Sequence, residues 1–235
     1  MSVLIIGCGR SGTNLLLDIL SGSPSLDRTS FVEDKEFFRL TKQVAPRYLS
    51  KCDTAYIRNA SDISRAFHNN NHLRIIFAIR DPRDMVLSKL KRGQAGEDGN
   101  MTTADDATPA GCIEDLLHMA YLYDSIAKFF PERFALVKME DVVLHAEDNI
   151  RVLSNKLGIT YDAHMLDFGD RVRNKYKKER YDGKIATDQI ELWKRWEDIY
   201  GGYFCGSTII PELFKQVEPL LEKFNYAKVD YSTRG

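Results

Sequence analysis

The sequence lacks the features that would assign it to a membrane, to nucleic acid or to the secretory route. Its formal net charge is −1 over 235 residues, so no overall field attracts polyanions or anionic membranes. No apolar run approaches the roughly 20 residues that a membrane span needs. A secretory signal is also missing, because the first apolar run is only Val3–Ile6 and leads straight into glycine-rich sequence. We therefore expect a cytoplasmic protein with no membrane or nucleic-acid partner.

Cysteine is sparse, and its spacing carries no motif. The four cysteines, Cys8, Cys52, Cys112 and Cys205, form no CxxC pair and no metal-like spacing. Such scattered thiols indicate reduced, mostly buried side chains of an intracellular protein rather than a disulfide framework. The sequence therefore predicts neither disulfides nor a bound metal.

Length and alternating apolar runs predict one α/β domain over residues 1–235. Residues 3–6, 54–57, 74–79 and 134–139 are short apolar runs, and each precedes a helical pattern. Strands of this length alternating with helices favour a mostly parallel sheet covered by helices on both faces, which is a three-layer sandwich. A chain of this length buries a substantial core.

Local signals predict where several helices begin and end. Asp81 and Pro82 suit the cap and the first turn of a helix after the third apolar run. Ser61 or Asp62 is expected to cap a short helix after the second run. Gly158 is expected to end a helix after the fourth run.

Three segments are predicted to lie outside the packed elements. Residues 92–109 are rich in Gly, Asp and Thr and nearly devoid of large apolar side chains. They predict a mobile loop, because such a composition cannot offset the entropy lost on ordering. Residues 170–184 form a basic stretch with two tyrosines, and residues 228–235 are expected to be a tail.

The most informative short stretch is GCGRSGTN, residues 7–14. A glycine-bounded turn between a strand and a helix directs several backbone N–H groups at one point, with the positive end of the helix behind them, and so binds phosphate or sulfate. A loop that binds ATP or GTP would carry Lys and then Ser or Thr at the positions of Thr13 and Asn14. The cation here is Arg10 instead. The pattern predicts an anion site without a magnesium ligand.

The segment GRSGTN resembles the 5′-phosphosulfate loop of sulfotransferases that use 3′-phosphoadenosine 5′-phosphosulfate (PAPS). The resemblance implies a P-loop NTPase-like fold, PAPS as co-substrate, 3′-phosphoadenosine 5′-phosphate (PAP) as product, and no metal. It also implies that Arg10 neutralises the charge that develops on the leaving phosphate as the S–O bond breaks. The residues that would surround the 5′-phosphosulfate are Arg10, Ser11, Gly12, Thr13 and Asn14.

Two further segments match the same family. Sulfotransferases carry an Arg at the end of a central strand and a Ser eight residues later, and both bind the 3′-phosphate; in RIIFAIRDPRDMVLSKL these positions are Arg80 and Ser88. The structural alternatives are an ion pair of Arg80 with Asp81 or Asp84, and a helix contact for Ser88. The segment VKMEDVVLHAEDNIRVLSNKLGI resembles a stretch that follows a later strand in the family and supports the fold.

The general base is predicted from the order of residues. In tyrosylprotein and related bacterial sulfotransferases a Glu follows the first helix, after a Pro. By that resemblance the base is Glu33, which follows Pro24, and a strand-like stretch before Glu33 is expected to deliver it to the carboxyl edge of the sheet. Glu36 and His118 are alternatives, and a solvent-exposed helix start is the structural interpretation of the acidic cluster.

The C-terminal part supplies candidates for a further 3′-phosphate contact and for acceptor binding. Residues 193–195 resemble a segment of bacterial and carbohydrate-type members, so Lys184, Lys194 or Arg195 is a candidate for that contact. The acceptor is expected to be a hydroxyl of a small molecule or a carbohydrate. Residues 92–109 and 170–184 are the expected acceptor-binding edges, because loops at the carboxyl end of a sheet vary with substrate.

Two other functions stay open on the sequence alone. A divergent P-loop nucleotide kinase or NTPase would bind ATP or GTP and require Mg²⁺. A non-catalytic PAPS- or PAP-binding protein would keep the loop but lack a working base.

Overall fold

A parallel β-sheet is the centre of the fold in the computed structural model, which describes residues 1–28, 33–39, 43–94, 108–169, 187, 190–198 and 209–228. The sheet has five strands in the order β2-β3-β1-β4-β5, and every pairing is parallel. The strands are β1 Ser2–Gly7, β2 Asp27–Arg28, β3 Tyr48–Asp53, β4 Leu73–Ile79 and β5 Phe134–Lys138.

The burial of the central strands confirms the predicted α/β class. All six residues of β1 are buried, and in β4 burial is unbroken from Ile75 to Ile79. Because successive side chains of a strand point to opposite faces, unbroken burial means that both faces of the sheet are covered. Apolar, β-branched residues dominate both strands, which explains why these two runs were recognisable as strands from the sequence.

Helices follow the strands in chain order. Among the described residues, none of these helices is long and apolar enough to span a membrane. The helices are α1 Thr13–Leu20, α2 Glu36–Arg39, α3 Ala60–Asn69, α4 Pro82–Gln94, α5 Pro109–Phe129, α6 Met139–Leu144, α7 Ala146–Leu157, α8 Ile209–Gln216 and α9 Glu218–Lys223.

The predicted boundaries of α4 and α7 are confirmed. The Asp81 carboxylate accepts the backbone N–H of Arg83 at 2.9 Å, and Pro82 is the first helical residue. Gly158 follows the last residue of α7 with φ 67°, a left-handed conformation that glycine adopts without a Cβ penalty.

The prediction around residues 54–57 is wrong in its position. The strand is β3, which ends at Asp53, and Thr54–Tyr56 form a single 3₁₀ turn. Asn59 caps α3 through its side chain and accepts the N–H of Ser61 at 3.0 Å, while Asp62 completes the capping box. The cap therefore lies before the two residues that were predicted to provide it.

The chain forms two compact units. The first comprises residues 1–79 and 122–187 and holds the whole sheet; the second comprises residues 80–121 and 188–235. A single domain over the whole chain stays a prediction.

The segments predicted to be irregular are only partly described. The ends of the 92–109 segment are helical, because α4 extends to Gln94 and α5 begins at Pro109. Residues 95–107, 170–186 and 229–235 lie outside the described residues, and so do the predictions of a mobile loop, a basic stretch and a tail.

Candidate active site

The loop between β1 and α1 turns at two residues with left-handed backbone. Arg10 has φ 73° and Gly12 has φ 89°. The N–H of Ser11 donates to the carbonyl of Cys8 at 3.1 Å and closes the turn. A side chain at a left-handed position costs about 1–3 kcal/mol, which Arg10 bears and Gly12 avoids. Turns of this kind gather backbone N–H groups into a concave anion-binding surface.

Helix α1 begins directly behind this loop with uncapped N–H groups. Gly12 is its N-cap and makes no side-chain hydrogen bond, and the first helical bond runs from the Leu16 N–H to the Gly12 carbonyl at 3.2 Å. The N–H groups of Thr13, Asn14 and Leu15 therefore have no acceptor within the helix. Together with the positive end of the helix dipole, they fit a phosphate or sulfate group.

The loop is too tightly packed to admit a side chain at either glycine. A Cβ on Gly7 would lie 2.3 Å from Ser11 Oγ and 2.7 Å from the Ala78 carbonyl oxygen, and a Cβ on Gly12 would lie 2.4 Å from Met139 Cγ. The Ser11 side chain fills the inside of the loop, and its buried Oγ has no hydrogen-bond partner among the described residues. A buried hydroxyl without a partner costs free energy, which an oxyanion bound at the loop can offset.

We expect Gly12→Ala to destabilise the protein by about 1–3 kcal/mol, because φ 89° is unfavourable for alanine. The measurement is the free energy of unfolding in urea. In the double variant Gly12→Ala with Met139→Ala the steric contact is absent but the backbone penalty is kept. Stability of the double variant equal to that of Met139→Ala alone would show that the backbone conformation is not the cause.

Glu33 lies beside the carboxyl end of β3 and contacts Lys51. The Lys51 ammonium donates to Glu33 Oε1, and the two side chains are 5% and 25% exposed. The second carboxylate oxygen, Oε2, is buried and has no hydrogen-bond partner among the described residues. β3 pairs with β1 up to Gly7 and Asp53, so the residue that Glu33 contacts, Lys51, lies on the strand next to the one that leads into the loop. An unpartnered carboxylate oxygen in that position is suited to accept a proton.

Two further contacts hold the segment that carries Glu33. The Asp34 N–H donates to the Lys51 carbonyl at 2.8 Å, and the Tyr48 hydroxyl donates to Asp34 Oδ2 at 2.5 Å. These bonds attach residues 33 and 34 to the side of β3. The strand-like stretch expected before Glu33, residues 29–32, lies outside the described residues, so its delivery to the carboxyl edge of the sheet stays a prediction.

Lys51 is a functional candidate that the sequence analysis missed. Burial lowers the pKa of Lys51 to about 8, and the nearby Asp53 carboxylate opposes this shift. A lysine is almost never buried without a partner, so a lysine inside the run YLSKCD was a usable signal. It was missed because the strand was assigned to residues 54–57 instead.

The RDPRD segment, residues 80–84, forms two buried ion pairs at the start of α4. Arg80 Nη2 donates to Asp84 Oδ2 at 3.3 Å, and Arg83 donates to both oxygens of Asp81 at 3.0 and 2.6 Å. The Arg80 and Asp84 side chains are only 11% and 0% exposed. The ion pair considered for Arg80 thus exists with Asp84, but it is not a surface pair. A guanidinium has five N–H donors, so this pair leaves Arg80 compatible with a phosphate contact.

The remaining predicted nucleotide-binding residues are Ser88, Arg195 and Lys184. Ser88 lies on α4 and is partly exposed, whereas its neighbours along the helix are buried. Arg195 is exposed at the end of the 3₁₀ turn Leu192–Arg195. Lys184 lies outside the described residues.

The two alternative bases, Glu36 and His118, lie on helices. The His118 ring on α5 stacks on Tyr121, with 6.2 Å between the ring centroids. Glu36 is the first residue of α2. In the described part of the chain, no group of three His, Cys, Asp or Glu side chains is arranged to hold a metal ion.

Comparison with solved structures finds the same fold in sulfotransferases. The sulfotransferase domain from the curacin biosynthetic pathway aligns with a TM-score of 0.63 at 15% identity, over 97% of this chain and 98% of that chain. The sulfotransferase domain of the Synechococcus PCC 7002 olefin synthase aligns with a TM-score of 0.59 at 14% identity, over 97% and 95%. Mouse sulfotransferase SULT7A1 complexed with PAP aligns with a TM-score of 0.53 at 14% identity, over 91% and 88%.

Comparison with sequence families gives the same result. A search of curated proteins found no match. A model described as the sulfotransferase family matches residues 35–163, which is more than half of the chain and begins after the loop and Glu33. The chain therefore belongs to the sulfotransferase family.

Proposed function

We propose that this protein transfers the sulfuryl group of PAPS to a hydroxyl of a small-molecule or carbohydrate acceptor. One observation carries the proposal. The anion-binding loop directly follows β1, and Glu33 contacts Lys51, which lies on the adjacent strand β3 and pairs with Ile5 of β1. An anion site and a carboxylate with an unpartnered oxygen are the two elements that sulfuryl transfer to a hydroxyl requires.

The reaction is a single in-line displacement. The acceptor oxygen forms a bond to sulfur while the bond between sulfur and the 5′-phosphate oxygen breaks. The electron pair of the broken bond leaves with PAP. Glu33 Oε2 takes the acceptor proton. Arg10 and the N–H groups at the start of α1 stabilise the charge that develops on the leaving phosphate. Preorganised donors of this kind contribute most when they are aimed at developing charge.

The donor nucleotide is held at its two charged ends. The loop from Arg10 to Asn14 binds the 5′-phosphosulfate through backbone N–H groups, the Arg10 fork and the hydroxyls of Ser11 and Thr13. Arg80 and Ser88 bind the 3′-phosphate, and Lys184 and Arg195 are candidates for a further contact with it. Because Thr13 and Asn14 replace the Lys and hydroxyl of an NTP-binding loop, a magnesium-dependent kinase or NTPase is the less favoured function.

Lys51 holds Glu33 in place through their ion pair. A charge-assisted hydrogen bond from an ammonium is roughly twice as strong as a neutral one, so Glu33 is held firmly only while Lys51 carries its proton.

We therefore expect kcat/KM of the wild-type protein to fall as the pH rises through about 8, the pKa of the buried Lys51. Lys51→Arg keeps its charge over this range, so its profile should stay flat there, at a lower overall rate. The measurement is the pH dependence of initial rates at limiting acceptor. An identical alkaline decrease in both proteins would contradict this role for Lys51.

Three buried thiols support the predicted cytoplasmic location. Cys8, Cys52 and Cys112 are buried and form no disulfide among the described residues, and thiols of this kind persist in reducing compartments.

The test of the proposed function is transfer of labelled sulfur. The protein is incubated with sulfur-labelled PAPS and, one at a time, a phenol, a monosaccharide, an aliphatic alcohol and a tyrosyl peptide. Label moving from PAPS to at least one acceptor supports the proposal. Binding of PAP with no transfer to any hydroxyl would favour a non-catalytic binding protein, and hydrolysis of ATP or GTP with Mg²⁺ would favour the NTPase.

A further inference from the structure

Asp84 divides its two carboxylate oxygens between donors from distant parts of the chain. Oδ2 accepts from Arg80 Nη2 at 3.3 Å, and Oδ1 accepts the backbone N–H of Trp193 at 2.8 Å, across a sequence separation of 109 residues. The Asp84 side chain is fully buried. One carboxylate thus joins the proposed 3′-phosphate residue Arg80 to the turn Leu192–Arg195.

A second contact holds the same turn. The Arg83 guanidinium lies 3.4 Å from the centroid of the Trp193 ring, and Arg83 is itself fixed by two hydrogen bonds to Asp81. Trp193 is 4% exposed and Arg83 is 1% exposed. The first turn of α4 therefore holds the Trp193 backbone through Asp84 and the Trp193 ring through Arg83.

A carboxylate can serve both donors at once. Aspartate offers two acceptor oxygens, whereas the isosteric asparagine offers one acceptor and one donor. Burial raises the pKa of Asp84, and Arg80 and the Trp193 N–H oppose this shift. A neutral polar side chain at this position would leave one of the two buried donors without its acceptor, which is unfavourable.

We propose that Asp84 is a positioning residue that orients Arg80 for the 3′-phosphate and anchors the Leu192–Arg195 turn at the same time. Occupation of Arg80 by the 3′-phosphate then strengthens the attachment of this turn, and the attached turn strengthens binding of the nucleotide, because linkage is reciprocal. The inference rests on the proposed function, since it requires PAP to bind.

The experiment measures PAP affinity and attachment of the turn separately. The chain has two tryptophans, so Trp196→Phe leaves Trp193 as the single emitter. Calorimetry gives the PAP affinity, and acrylamide quenching of Trp193 gives the attachment of the turn. We expect PAP to lower the quenching. Asp84→Asn in this background should weaken PAP binding about tenfold, in the range seen for coupled neighbours, and should abolish the PAP-dependent change.

The matched control is Asp115→Asn in the same background. Asp115 also contacts α4, through Lys89, but it bonds neither Arg80 nor Trp193 in the contacts described above. We expect it to keep the PAP affinity and the quenching change. Thermal melting of each variant checks that it is folded.

The possible failures are distinguishable. If the Trp196→Phe protein binds no PAP, the proposed function fails and this inference with it. If PAP binds but Trp193 quenching does not change, the inference is wrong and the proposed function stands. This result comes from comparing the Trp196→Phe protein with and without PAP, so it does not depend on any variant of Asp84. Equal effects of Asp84→Asn and Asp115→Asn would also contradict the inference.

Discussion

Replacing Glu33 by Gln is expected to lower the rate of sulfuryl transfer by about 10²–10⁴-fold, the usual contribution of a general base. Gln can still accept the Lys51 hydrogen bond through its amide oxygen, so the packing around the pair should be kept. What it loses is the second carboxylate oxygen, Oε2, which is buried and unpartnered among the described residues. The measurement is kcat with labelled PAPS and the acceptor found in the panel.

Three control measurements test whether the loss of activity in Glu33→Gln is specific. PAP affinity of Glu33→Gln should equal that of the wild type, because the change removes a proton acceptor and not a nucleotide contact. Glu36→Gln and His118→Gln are the matched variants of the alternative bases, and both should retain most of the activity. A large loss in either of them, with Glu33→Gln fully active, would move the base away from Glu33.

Replacing Arg80 by Ala is expected to weaken PAP binding by about 10–100-fold, the range for hydrogen bonds to charged groups. The cause is loss of the contact with the 3′-phosphate. Arg80→Ala also removes the charged partner of Asp84, a fully buried carboxylate, so it should lower the melting temperature as well. Affinity must therefore be measured well below the melting temperature of the variant.

The ligand provides the control for Arg80. Adenosine 5′-phosphosulfate lacks the 3′-phosphate, so its affinity should be nearly the same for Arg80→Ala and for the wild type. The difference between the two ligands isolates the interaction between Arg80 and the 3′-phosphate, as in a double-mutant cycle. Equal losses for both ligands would mean that Arg80 supports the structure and does not recognise the phosphate.

The parts of the fold that were predictable from the sequence depend on local signals. Continuous apolar runs make up residues 3–6 of β1 and 75–79 of β4, and the complete burial of both runs agrees with that pattern. Pro82 and Gly158 specify backbone conformations through their own covalent structure, so the boundaries of α4 and α7 followed from single residues. The loop after β1 was also predictable from local residues, because glycines bound it.

β3 could not be located by the same reasoning. The run TAYI is more apolar than YLSKCD, yet the strand is the latter, Tyr48–Asp53. Its position depends on pairing with β1 over residues 3–7, which is a contact between distant segments. Lys51 interrupts the apolar pattern, and the partner that makes its burial tolerable, Glu33, is remote in sequence.

The surroundings of Arg80 also depend on a contact between distant segments that local sequence signals do not indicate. The sequence placed an acid within reach of Arg80, and the structure has that ion pair with Asp84. Trp193 is buried as well. That the two features meet, with Asp84 bonded to the Trp193 N–H, is a long-range contact for which neither segment carries a local signal.

The most direct test of the central claim, that this is a PAPS-dependent sulfotransferase, is calorimetric titration of the wild-type protein with PAP in the presence of a metal chelator. ATP and GTP, each with Mg²⁺, are titrated in parallel. We predict tight binding of PAP without metal and much weaker binding of both triphosphates. Binding of ATP or GTP only with Mg²⁺, together with no binding of PAP, would contradict it.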